Sequence, residues 1–157
     1  MLRALGIIST WIYVLGASIL LGATIYQMMV VVPAFTHSLP DSMVQFSAGP
    51  VKPPAFWTSP IGPLTGFFGI LAVVGTRKTA AFRYLLLSVV LAFLAEIITI
   101  VWVYPMLRQM GITGALSPAA NDALTAVTRR WVLVDQIRCA LLVVPGMVTA
   151  LMGLRHL

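Results

Sequence analysis

Three ionisable side chains lie within stretches that are otherwise apolar: Glu96, Asp135 and Arg138. Placing a charge in hydrocarbon costs about 2.5–3.5 kcal/mol on insertion scales, so each should face the interior of a helix bundle and find a partner there. Trp131, Asp135 and Arg138 follow the i, i+4, i+7 spacing of one helix stripe. Glu96 and Thr99, followed by Trp102 and Tyr104, lie on the preceding apolar stretch, and Tyr26 and Gln27 on the first. The chemistry open to this set is proton acceptance by Asp135 or Glu96, with the permanently charged Arg138 requiring an anion as its match. Tyr26, Gln27, Thr99, Trp102, Tyr104 and Trp131 would shape the pocket. The plainer alternative is that Asp135 and Arg138 form a neutralised i, i+3 pair and Glu96 is protonated or bonds to a Thr or Gln on a neighbouring helix.

The elements that must position these residues follow from composition. The 157 residues are 60% hydrophobic and 9% charged, whereas soluble domains average about 45–50% apolar and about 25% charged. Four apolar runs, about 6–32, 60–76, 84–104 and 131–154, within helices expected over about 5–32, 60–76, 84–104 and 119–154, stand against the 17–25 residues that span roughly 30 Å of hydrocarbon. The second is the shortest. The expectation is an all-α integral membrane four-helix bundle forming one domain over residues 1–157. The first run exceeds the core of a signal peptide and no small-x-small site follows it, so it is expected to be retained.

Residue 33 is a proline at the far end of the first run, and seven prolines fall between positions 33 and 63, which predicts a stiff loop. Phe56 and Trp57 within it are expected to anchor at the interface or cover the mouth of the bundle. Pro105 is expected to close the third helix. Ser117 and Pro118 fit an N-cap and first helical position for the fourth, with Pro145 kinking it in mid-membrane. Gly62, Gly66 and Gly69 predict a close-packing face on helix two, directed within the chain or toward a second copy in a homo-oligomer.

Ten basic residues set the orientation. Arg3, Arg77, Lys78, Arg83 and Arg155 fall on one side, and Lys52, Arg108, Arg129 and Arg130 on the other, with Arg138 inside a helix. The crowding of Arg77, Lys78 and Arg83 in one short connection places both termini in the cytoplasm by the positive-inside rule, in a bacterial-type inner membrane. The net charge of +6 is then topological, with the bilayer as partner, and does not imply nucleic-acid binding.

His37 and His156 lie far apart in topology and cannot share an ion; no metal and no cofactor is expected. Met28, Met29, Met106 and Met110 could suggest soft copper ligation, but methionine in apolar helices is ordinarily packing. The single Cys139 precludes an internal disulfide.

Several short patterns coincide with a known family. The run Gly22-Ala-Thr-Ile-Tyr26-Gln27-x-x-Val-Val-Val-Pro33, the Phe56-Trp57 and Pro63-Leu64 pairs, Pro105, and Arg129-Arg130-Trp131-x-x-x-Asp135-x-x-Arg138 resemble the anthrone oxygenase-like four-helix membrane family over most of the chain. That resemblance implies cofactor-independent oxygenation of an aromatic, quinol-like or polyketide-like substrate. Where many members carry histidine this chain has Asp135, which departs from the pattern at a position suited to proton transfer. Two functions are therefore expected as alternatives: a lipophilic-ligand or oxygenase-like protein with a polar pocket in the outer half of the bundle, or a non-catalytic membrane subunit. In either case the orientation is testable. A cysteine at Ser47 should react with an impermeant maleimide in intact cells while one at Thr79 should not; the reverse pattern inverts the topology.

Overall fold

A computed structural model describes residues 2–39, 41, 42, 45, 60–110 and 121–157. Among them the chain is helical without strands. Helix α1 comprises Leu2–Tyr26, Gln27–Val31 and Val32–Thr36; α2 is Ile61–Gly75; α3 comprises Ala81–Ile98, Thr99–Val103 and Tyr104–Gln109; α4 comprises Asn121–Arg138, Cys139–Val143 and Val144–Arg155. Three of these are long and apolar enough to cross a membrane, with 33, 29 and 34 residues in the relevant spans. At 1.5 Å per residue each exceeds 40 Å, more than the roughly 30 Å of hydrocarbon. Helix α2, with 15 residues, reaches only about 22 Å.

The pattern of burial is the reverse of a water-soluble protein. Ser9, Thr10, Thr24, Thr65, Ser88, Thr128 and Asp135 are buried, while Leu15, Met29, Phe67, Ile100, Leu141 and many other large apolar side chains are exposed. A surface of this kind is solvated by lipid, and small polar residues inside let helices approach. Their hydroxyls cost little, because most bond back to the helix that carries them: Thr10 to the Gly6 carbonyl at 2.8 Å, Thr24 to Leu20 at 2.9 Å and Thr65 to Ile61 at 2.7 Å.

Proline does not end α1 or α3. Both helices were expected to stop at Pro33 and Pro105; instead each runs on, and the device is the same in all three long helices. The residue before each proline donates its N–H five residues back: Val32 to the Gln27 carbonyl, Tyr104 to Thr99, and Val144 to Cys139. Proline has no N–H and its ring clashes with the carbonyl four residues earlier, so the preceding turn widens to a π-turn and the helix continues. The backbone stays helical throughout, with Val32 at φ −59°, ψ −50°. The loop positions Phe56, Trp57, Lys52, Ser117 and Pro118 lie outside the described residues.

The helices pack in the cyclic order α1, α2, α3, α4, with α1 on α2 and α3 on α4 as the principal pairs. Both chain ends and the α2–α3 turn share one end of the bundle, where the Tyr84 and His156 rings stack at 5.0 Å. Near that end a first core joins all four helices through Tyr13, Val14, Ala72, Ala81, Leu85, Val89 and Ala150. A second core, built from Val32, Phe35, Val103, Met106, Leu107, Met110, Leu124 and Trp131, draws among the described residues on α1, α3 with the turn after it, and α4. Helix α2 does not contribute because it is short: Thr65 meets Gly16 and Gly75 meets Gly6, so its start lies beside Leu20, about 10 Å short of Gln27.

The glycine stripe of α2 divides. A Cβ on Gly69 would stand 3.0 Å from the Tyr13 ring and from Val89, whereas one on Gly66 would meet nothing within 4 Å. Gly69→Leu should therefore lower stability by about 1–3 kcal/mol through overpacking, while Gly66→Ala should be neutral or slightly stabilising. Thermal unfolding in detergent followed by tryptophan fluorescence checks both; equal effects would refute the assigned packing face.

Candidate functional site

Between the two cores lies a cavity of about 190 Å³. Along α1 its wall runs from Tyr13 to Phe35, roughly 33 Å of helix rise, so the space is long and narrow. Most of the wall is apolar, from residues such as Leu20, Val31, Ala92, Val103, Leu142 and Met147. The polar groups converge at one level, where three helices begin to widen.

Asp135 is the centre of that level, with 1% of its surface exposed. Its Oδ1 accepts from Arg138 Nε at 2.9 Å and pairs with Arg138 Nη2 at 2.6 Å. Its Oδ2 accepts from Gln27 Nε2 at 3.1 Å. Arg138 Nη1 donates to Thr99 Oγ1 at 2.8 Å, and Thr99 Oγ1 donates to the Ala95 carbonyl at 2.8 Å. One ion pair thus ties α1, α3 and α4 together. Gln27 and Thr99 are the first residues of their π-turns, and Arg138 immediately precedes the third; π-turns of this kind are frequent at functional sites.

Hydrogen-bond accounting leaves the two acids in different situations. Both oxygens of Asp135 are engaged within the chain. Glu96 lines the same cavity, is exposed at the flank of α3, and has no hydrogen bond or ion pair among the described residues. Arg138 has five N–H donors, of which three are engaged by Asp135 and Thr99; its side chain keeps 13% exposure and two donors remain among the described contacts.

Of the residues expected at the pocket, Gln27, Glu96, Thr99, Tyr104, Trp131, Asp135 and Arg138 line the cavity. Tyr26 and Trp102 do not. They are 60% and 58% exposed and point to the bundle exterior: Tyr26 is one position, about 100°, from Gln27, and the π-turn after Thr99 turns Val103 and Tyr104 inward in place of Trp102. Trp57 lies outside the described residues. Trp131 is buried against Phe35, ring centroids 5.5 Å apart, and its indole N–H has no partner among the described residues.

The structure adds residues that sequence reasoning passed over. Phe35 was hidden because the helix was taken to stop at Pro33. Tyr13 is buried at the near end of the cavity, while Trp11, two residues earlier, is exposed. The Tyr13 hydroxyl lies 2.7 Å from Ser88 Oγ, which donates to the Gly146 carbonyl at 2.7 Å, so Tyr13 is the donor to Ser88. His37 bonds the Ala34 carbonyl at 2.8 Å at one end of the bundle, and His156 stacks on Tyr84 at the other. Among the described residues no group of three His, Cys, Asp or Glu side chains could hold a metal ion.

Comparison with protein-family models, curated proteins and solved structures finds no match to this chain. The chemistry of the site is therefore carried by its own geometry.

Removing the guanidinium isolates a buried carboxylate. Arg138→Leu should cost roughly 3–5 kcal/mol, and Arg138→Leu combined with Asp135→Leu should restore most of that loss. Thermal unfolding of the wild type, both single variants and the double variant measures the coupling; strictly additive effects would show that the pair is not an energetic unit.

Proposed function

We propose that this chain binds a lipophilic ligand of aromatic, quinone-like or polyketide-like character, with its polar head at the Asp135–Arg138 level and its apolar body along the cavity. The observation that carries this reading is the part-buried, hydrogen-bonded guanidinium on the wall of a narrow apolar cavity, with two donors left over among the described contacts. Ligand sites combine apolar walls with a few convergent polar groups in this way. A site needing roughly 10–15 Å³ per water-sized occupant gives a 190 Å³ cavity room for on the order of a dozen non-hydrogen atoms. Resemblance to the anthrone oxygenase-like family extends the reading to a cofactor-independent, oxygenase-like reaction at that head group.

The membrane placement accompanies this reading. Arg77, Lys78, Arg83 and Arg155 are exposed at the end that holds the termini, which supports cytoplasmic termini, four passes and residence in a cell inner membrane. The cavity's polar level then lies in the outer half of the bundle. Gly66, open to its surroundings, is available to a second copy.

A second reading rests on one observation: the network is complete without a ligand as far as Asp135 is concerned, and it joins three helices. On that reading the chain is a non-catalytic membrane subunit whose polar level holds its own bundle together. One experiment separates the two. Protein purified in its native lipids should release a small aromatic or quinone-like molecule on solvent extraction, detected by mass spectrometry. The Arg138→Leu, Asp135→Leu double variant should lack it despite recovered stability. If the double variant recovers both stability and the bound molecule, or if a stoichiometric protein partner replaces the small molecule, the ligand-binding function is refuted.

A further inference from the structure

We infer that Glu96, and not Asp135, is the group that takes a proton from the bound molecule, and that the ligand head group is therefore a phenolic or quinol O–H. This rests on the ligand-binding reading above and assigns the roles within it. Both oxygens of Asp135 are engaged within the chain: Oδ1 receives two donors from Arg138 and Oδ2 receives Gln27. Its Arg138 contacts are the charge-assisted kind, roughly twice as strong as neutral ones. Protonating Asp135 would break the pairing that keeps Arg138 neutralised in hydrocarbon.

Glu96 is placed otherwise. It lies three residues before Thr99, so both side chains occupy one face of α3, and Thr99 is the group that accepts from Arg138. Glu96 lines the cavity, is exposed at its flank, and makes no hydrogen bond or ion pair among the described residues. The other titratable groups on the cavity wall are Tyr13, Tyr104, Asp135 and Arg138. Tyr13 is committed to Ser88, and Arg138 has only donors.

A head group seated between Glu96 and Arg138 must therefore offer a donor to one and an acceptor to the other. A phenolic hydroxyl does both with a single oxygen. Its O–H donates to the Glu96 carboxylate while its lone pair receives an Arg138 N–H. In the transfer the phenol O–H bond breaks, the electron pair stays on the phenolate oxygen, and the proton forms a new O–H bond on Glu96. Charge is conserved, and the phenolate faces the guanidinium. A carbonyl without a hydroxyl satisfies Arg138 alone.

The test uses 4-pentylphenol and its methyl ether, 4-pentylanisole, slender probes of about the atom count that the cavity admits. Binding is measured by equilibrium dialysis of protein-loaded against empty nanodiscs. The wild type should bind 4-pentylphenol at least about tenfold more tightly than the ether, and Glu96→Gln should remove that preference while binding the ether unchanged. Glu96→Asp should restore part of the preference. Preference for the phenol that survives intact in Glu96→Gln overturns the assignment of Glu96 but leaves the ligand-binding function standing. Failure of the wild type to bind either probe above empty nanodiscs overturns both. Because Glu96 has no partner to lose among the described residues, Glu96→Gln should unfold at the wild-type temperature, and a lowered midpoint would show that it serves the fold instead.

Discussion

A guanidinium cannot shed its charge, so one carried into hydrocarbon must bring its neutralisation with it. Arg138 does this through Asp135, one helical turn earlier, and the remainder of the bundle is arranged around that pair. Gln27 reaches the free oxygen of the carboxylate from α1, and Thr99 receives the guanidinium from α3. The three long helices are thereby held at one relative height. Helix α2, which supplies nothing to this level, is free to be short.

The widened turns follow from the same requirement. Proline in each long helix removes an N–H and displaces a carbonyl, and the chain responds by carrying the preceding amide back five residues. Because the π-turns begin at Gln27, Thr99 and Cys139, the polar side chains stand where each helix departs from its regular phase. Beyond these points the helices run on to form the second core around Trp131 and Phe35. The cavity lies between that core and the first, where the packing changes from four helices to three.

Much of this was legible in the sequence, and for a physical reason: ionisable residues are too costly in apolar helices to be placed without a role, so Asp135, Arg138 and the polar Gln27 and Thr99 identify the inward faces. Trp131 followed from its spacing to Asp135. What stayed hidden depended on prolines that continue a helix. Reading Pro33 as a terminus removed Phe35 from consideration, and Trp102, expected at the pocket, gives way to Val103 where the π-turn shifts the phase of α3. Tyr26 shares the depth of Gln27 on α1, but its phase lies on the exposed side of the helix. Tyr13 gave no sign beyond its type, since a tyrosine near a helix start is usual at an interface and its partner Ser88 is 75 residues away.

The end of the cavity at Tyr13 determines what kind of traffic the bundle can support. Below the Tyr13–Ser88–Gly146 chain the helices close so tightly that a Cβ on Gly6 would lie 2.7 Å from the backbone of Gly75, and Leu85, Ala72, Ala81 and Ala150 fill the remaining space. A hydrated ion or a solute arriving at the polar level meets a wall there. Among the described residues the cavity is closed past Tyr13 by packed side chains and helix backbones, so an occupant of the polar level would have to leave by another route.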